Sequence, residues 1–182
     1  MISYTEAQLD DAIRRTLTPW QVSLGVPLAS PATGLSWTDD VDNKIGINVA
    51  PIITPMGFDL YTTAEGPATR FIGAGVGDTA TGLFNISVAL GIKSITGRGD
   101  VIFKIKTRHY TETNINNATL IDGCHMGRSF TSDSLGSIMI PEVNIEIANG
   151  TLIELFAYPN SPSTSFSNVE IRHGGLTLVE IN

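Results

Sequence analysis

Hydrophobic and polar residues alternate along most of this chain with a period of two, the spacing that turns one face of a β-strand inward. The segment Asp100–His109 (DVIFKIKTRH) is the clearest case. There Val101, Phe103, Ile105 and Thr107 oppose Ile102, Lys104, Lys106 and Arg108, which predicts one wet face. In Leu83–Leu90, Phe84, Ile86, Val88 and Leu90 oppose Leu83, Asn85, Ser87 and Ala89. In Thr151–Tyr158, Leu152, Glu154, Phe156 and Tyr158 oppose Ile153, Leu155 and Ala157. Shorter candidate strands are Lys44–Val49, Phe58–Tyr61, Thr69–Ile72, Ser137–Ile140, Val143–Ile147, Val169–Arg172 and Leu176–Ile181. Asn149-Gly150 reads as a hairpin dipeptide and His173-Gly174-Gly175 as a second turn. About eight to ten strands with no long helical pattern between them predict an all-β protein, an antiparallel jelly-roll sandwich over residues 34–182.

The first 33 residues read differently. Ser3 or Thr5 with Glu6 or Gln8 three positions on has the spacing of a capping box. Leu9, Ile13 and Leu17 recur every four residues until Pro19, so a short N-terminal helix is expected over 1–18. From Pro19 to Thr33 the chain is apolar and uncharged, with Pro19, Pro27 and Pro31 spaced through it. Because proline fixes φ and cannot donate to a ladder, this stretch reads as an extended arm carrying Trp20, Val22 and Leu24.

Composition supports strands. Among 182 residues there are 21 Ile and 20 Thr, both β-branched, and 18 Gly with 9 Pro supply turns. The net charge is −7 and the 11 basic residues are scattered. Without a basic face, neither a nucleic acid nor an anionic membrane is an expected partner. One cysteine, Cys124, forms no internal disulfide. The N-terminus lacks the charged and apolar regions of a signal peptide, and no apolar run approaches the ~20 residues of a membrane span. The reading is a soluble protein made in a cytoplasm.

Candidate chemistry is sparse. Cys124 and His125 are adjacent, so on a strand they face opposite ways and make a poor nucleophile–base pair. The histidines His109, His125 and His173 sit on unrelated segments, short of the three spaced ligands that zinc requires. The acidic run of Asp39, Asp40 and Asp42 lacks the glycine and closing glutamate of a calcium loop and reads as a solvated turn. Glu142, Glu146 and Glu154 lie around one predicted hairpin, but few aromatic residues accompany them as a glycosidase would need. Gly73–Asp78 (GAGVGD) departs from the dinucleotide fingerprint and reads as a loop. Arg98-Gly99-Asp100 reads as a turn, and sequons begin at Asn85, Asn117 and Asn149. No cofactor, no metal and no enzymatic activity are expected.

The order of the C-terminal half carries a resemblance. A strand ending in a glycine-rich turn (SVALGIKSITGRG) precedes the long strand DVIFKIKTRHYT. The pair SLGSIMIPEVNIEIANGTLIELFAYP follows, and GGLTLVEIN closes the chain. Over roughly Leu83 to Asn182 this resembles the TNF/C1q-type jelly roll, in the version found in tailed-phage virion proteins of head-decoration (cement) or fibre type. The resemblance implies a homotrimer, and strands apolar on both faces agree with a second cover. Phe84, Ile86, Val88, Phe156, Tyr158 and Leu178 are the expected trimer interface. Leu9, Ile13, Leu17, Trp20, Val22 and Leu24 are expected to attach the trimer to a major capsid protein or another virion protein. The implied function is a structural virion protein, a head decoration protein that stabilises a phage capsid. A receptor- or carbohydrate-binding fibre or tail component, with Thr111–Thr119 as contact loop, is the alternative. A cupin-like hydrolase or isomerase is a third reading that the scattered histidines disfavour.

Overall fold

The computed structural model describes residues 5, 6, 8, 9, 20–26, 32–45, 53–74, 79–94 and 96–181. In chain order the strands are β1 (Gln21–Val26), β2 (Ala32–Trp37), β3 (Asn43–Ile45), β4 (Ile53–Met56), β5 (Phe58–Thr63) and β6 (Gly66–Phe71). They continue with β7 (Thr81–Ser94), β8 (Thr96–His109), β9 (Thr119–Phe130), β10 (Ser134–Ala148) and β11 (Thr151–Glu180). Ile115–Asn117 forms a 3₁₀ turn before β9.

The strands form an antiparallel jelly-roll sandwich. One layer runs β10-β7-β11-β1-β4. The other runs β5-β6-β11-β8-β9, with β2 and β3 also paired to β11. The 30-residue β11 belongs to both layers: it pairs with β8 from Thr151 and with β7 as far as Glu180. Between the layers lie Phe84, Ile86, Val88, Leu90 and Ile92 of β7, Val101, Phe103 and Ile105 of β8, and Ile153, Leu155, Leu176 and Leu178 of β11. Aromatic rings fill the ends of this core edge to face, with Phe71 5.1 Å from Trp20 and 5.0 Å from Phe84, and Trp37 5.9 Å from Phe103.

Several local readings change once the partners are visible. The expected arm holds one strand and the start of a second. β1 pairs with β11 from Gln21–Val179 to Val26–Gly174, and its alternating apolar residues belong to the sheet. Asn149-Gly150 does not close a hairpin, because β10 pairs with β7 and β11 pairs with β8. It is a corner that carries the chain from one sheet to the other. Gly150 supplies a φ of 82° there, and Asn149 Nδ2 donates to the Ile72 carbonyl at 2.7 Å. His173–Gly175 is likewise no turn. These residues pair with Gly91, Leu90 and Ala89, and the glycine at 174 (φ 103°) lies just past a register shift between Ile171 and His173 in β11. Residues 98–100 lie inside β8, where the Asp100 carboxylate accepts a hydrogen bond from Ser129 Oγ.

The helix expected over 1–18 falls largely outside the described residues; Glu6, Gln8 and Leu9 are helical, and Leu9 N donates to the Thr5 carbonyl at 3.0 Å. What is described there is one capped turn: Gln8 N donates to Thr5 Oγ1 at 3.2 Å, and Thr5 N to Gln8 Oε1 at 2.9 Å. β9 was missed in the sequence because its exposed positions and its glycines at 123 and 127 hide any alternation.

Candidate functional site

The two sheets present opposite kinds of outer face. On the β10-β7-β11 layer, Leu83, Asn85, Ser87 and Ala89 of β7 point outward, away from buried Phe84, Ile86 and Val88. Ala89 lies opposite both Met139 and Gly175, Ser87 opposite Thr177, and Asn85 opposite Val179 and Asn144. The rows through Asn85, Ser87 and Ala89 on β7 and β11 carry no charge. Large apolar side chains are nevertheless open to solvent, with Leu135 63%, Met139 67%, Leu83 45% and Val179 37% exposed. Charges adjoin these side chains: Glu146 lies opposite Leu83, Glu142 accepts from Asn85 Nδ2 at 3.4 Å, and Lys93, opposite Leu135, is 2.9 Å from Asp133. Exposed apolar side chains gathered on one sheet face are the kind of surface on which an interaction can be built.

The outer face of the second sheet is charged and largely covered. Lys44 of β3 and Lys104 of β8 flank Phe156 across β11, and Arg70 and Arg108 flank Leu152. Glu154 stands between them with its side chain fully buried. Its carboxylate accepts from Lys44 Nζ at 2.7 Å and from Arg108 Nε and Nη2 at 2.9 and 3.1 Å. Glu65 meets Arg108 at 3.2 Å, and Asp42 takes both Lys104 and Lys106 at 2.9 Å. Burial alone would raise the Asp42 carboxyl, but the bonds and charges of Lys106 and Lys104 outweigh it and hold the group below its ordinary value. Burial likewise pulls Arg108 down, and Glu154 and Glu65 more than reverse it. The face expected to be wet is thus an internal ion network, with Lys106 and Arg108 buried. Its carboxylates come from segments distant in sequence, so the strand pattern alone could not reveal the cover.

These faces relocate the expected site residues. Phe84, Ile86, Val88 and Leu178 lie in the sandwich core, each at most 1% exposed, and are spent on the monomer's own packing. Phe156 is buried under the ion network, and Tyr158 carries Lys104 Nζ 3.9 Å from its ring centre. Of the expected attachment residues, Trp20 and Val22 are buried in the same core. Trp20 N also donates to Glu180 Oε2 at 2.9 Å. Leu24 lies in β1 opposite Leu176, Leu9 is exposed, and Ile13 and Leu17 lie outside the described residues.

Candidate catalytic groups do not converge. Cys124 is buried, which pushes its thiol up to about 11, while His125 is exposed on the same strand. Glu142 and Glu146 are exposed on one sheet and Glu154 is buried in the other. Among the described residues, no three His, Cys, Asp or Glu side chains gather as metal ligands would.

No protein-family model and no curated protein matches this chain. Solved structures do. The chain is similar to the Eiger TNF of S. frugiperda, with a TM-score of 0.58 at 10% identity, covering 90% of this chain and 93% of that one. It is also similar to murine APRIL at pH 8.0, with a TM-score of 0.52 at 12% identity over 88% and 99% of the two chains. The PRD1 vertex protein P5 aligns with a TM-score of 0.44 at 11% identity over 90% and 97%. At such identities the likeness is one of fold, and the fold is the TNF-like jelly roll.

Proposed function

We propose that this chain is a homotrimeric structural protein of a virion, a head decoration protein that attaches to a phage capsid. The observation that carries the self-association is the set of large apolar side chains open to solvent on one outer face, Leu83, Leu135, Met139 and Val179. Closing a ring of three requires a heterologous contact, in which one patch meets a different patch of the next copy. The open edge strand β9, with Leu120 and Met126 exposed, is a suitable second patch. Fully burying one leucine or methionine stabilises an interface by about 1.5–3 kcal/mol, so a handful of such residues offsets much of the cost of association.

The interface is therefore assigned to residues on the opposite face from Phe84, Ile86 and Val88. Attachment rests on the segment before β1, where exposed Leu9 begins the apolar series continued by Ile13 and Leu17. Three such segments on one trimer bind a shell with avidity. The acidic balance of the chain, −7, counters aggregation when many copies stand side by side. The resemblance of the C-terminal strand order to phage virion proteins supports this setting.

The test is co-sedimentation with capsids of the phage that encodes the chain, prepared without it. Full-length protein is expected to pellet with the shell, while a variant lacking residues 1–18 stays in solution as a folded trimer. Failure of the full-length chain to pellet, or undiminished pelleting of the truncation, overturns the attachment model.

A further inference from the structure

At one end of the charged sheet, the turn between β5 and β6 stands beside the loop that follows β8, and a cleft of about 230 Å³ opens between them. Arg108 is among the residues lining it, together with Tyr61, Tyr110, Glu65 and Thr113. The volume lies below the ~300–1,000 Å³ of pockets for drug-sized ligands, so it suits a single small ring.

The chemistry of the lining narrows the ligand. Arg108 uses Nε and Nη2 on Glu154 and Glu65, and Nη1 on the Glu112 carbonyl at 3.1 Å. One Nη1 hydrogen is left with no partner among the described residues. Glu65, about a third exposed, presents a carboxylate beside it. The rings of Tyr61 and Tyr110 meet edge to face at 5.9 Å, and Arg70 already lies over both, 4.6 and 5.2 Å from their centres. A cationic ligand on the remaining surface of these rings would be repelled by Arg70 and Arg108. An anionic ligand would face two lining carboxylates, Glu65 and Glu112, with a third, Glu154, behind the arginine.

What remains is an uncharged ligand with hydroxyl donors and acceptors and an apolar C–H face. We propose that this cleft binds one neutral sugar residue. Adjacent hydroxyls bridge the Glu65 carboxylate and the remaining Arg108 N–H, and the C–H face of the ring lies against the tyrosines. Binding this small, with few direct bonds, is expected at about millimolar strength for one site. The inference does not depend on the oligomeric state or on a capsid.

The test is NMR titration of the full-length chain with glucose, galactose, mannose and N-acetylglucosamine, with N-acetylneuraminic acid as the acidic comparison. At least one neutral sugar is expected to shift the Tyr61 and Tyr110 ring signals saturably. Thr113→Trp, at an exposed position on the lip, is expected to weaken that binding by about tenfold or more. Glu65→Gln, which keeps the shape and removes the charge, is expected to weaken it as well and decides the matter should the tryptophan variant misfold. Silence from all the neutral sugars, response to the acidic one alone, or binding unchanged in Glu65→Gln overturns the proposal. None of these results bears on co-sedimentation with a shell.

Discussion

Arg108 grips the carboxylate of Glu154 through two hydrogen bonds, 2.9 and 3.1 Å long, with the acid fully buried behind the arginine. Lys44 completes the site at 2.7 Å from the same carboxylate. Removing the acid would strand two buried cations, which is the costly way to break an internal ion pair. Glu154→Ala is therefore expected to lose about 3–5 kcal/mol of stability in urea unfolding. A loss below about 1 kcal/mol, the value of an exposed pair, would show that water reaches the network.

Acid should loosen the same face. Asp42, Glu65 and Glu112 all have folded-state values held below their ordinary ones. A carboxyl depressed on folding contributes stability above its unfolded value, and that contribution is lost as pH falls through the folded one. For Asp42 the loss begins as pH drops through its ordinary value of 3.8. The urea midpoint is expected to be level near neutrality and to fall below about pH 4, with a shallower fall in Asp42→Asn. Equal acid slopes in the two proteins would remove Asp42 from the explanation.

The close pairing of β11 with β7 at Gly174 rests on a missing side chain. A Cβ on Gly174 would stand 2.0 Å from the Ala89 carbonyl oxygen, at a φ of 103° that side chains disfavour. Gly174→Ala must push β11 away from β7 as well as strain its own backbone, which alone costs about 1–3 kcal/mol. Large destabilisation or insoluble expression is expected, whereas Gly127→Ala, with open space around its Cβ position, should be nearly neutral. Comparable stability of both variants would contradict the assigned register.

The fold was readable in the sequence where one strand determines its own pattern. The alternation of Phe84, Ile86, Val88 and Leu90 sorts β7 into a buried and an open face without reference to any other segment. What covers the buried face is a property of partners, and β7 could not declare whether a second sheet or a second copy lay over it. Phe84, Ile86 and Val88, expected at an interface, are therefore found in the sandwich core. Lys104, Lys106 and Arg108 looked wet for the same reason, since Asp42 and Glu65 approach from other strands and turns. Glycine chemistry was legible and its use was not. Gly150 and Gly174 do adopt positive φ, one at a corner between sheets and one inside a strand.

Self-association through the open face is tested most directly by sedimentation equilibrium of the full-length chain and of Leu135→Glu/Met139→Glu. Both substituted side chains are already exposed, so the fold should survive the added charges. The wild-type mass is expected at three times 19.4 kDa at micromolar concentration, and the double variant is expected as a folded 19.4 kDa monomer. A monomeric wild type, or a trimer that tolerates both glutamates, would contradict an interface built on that face.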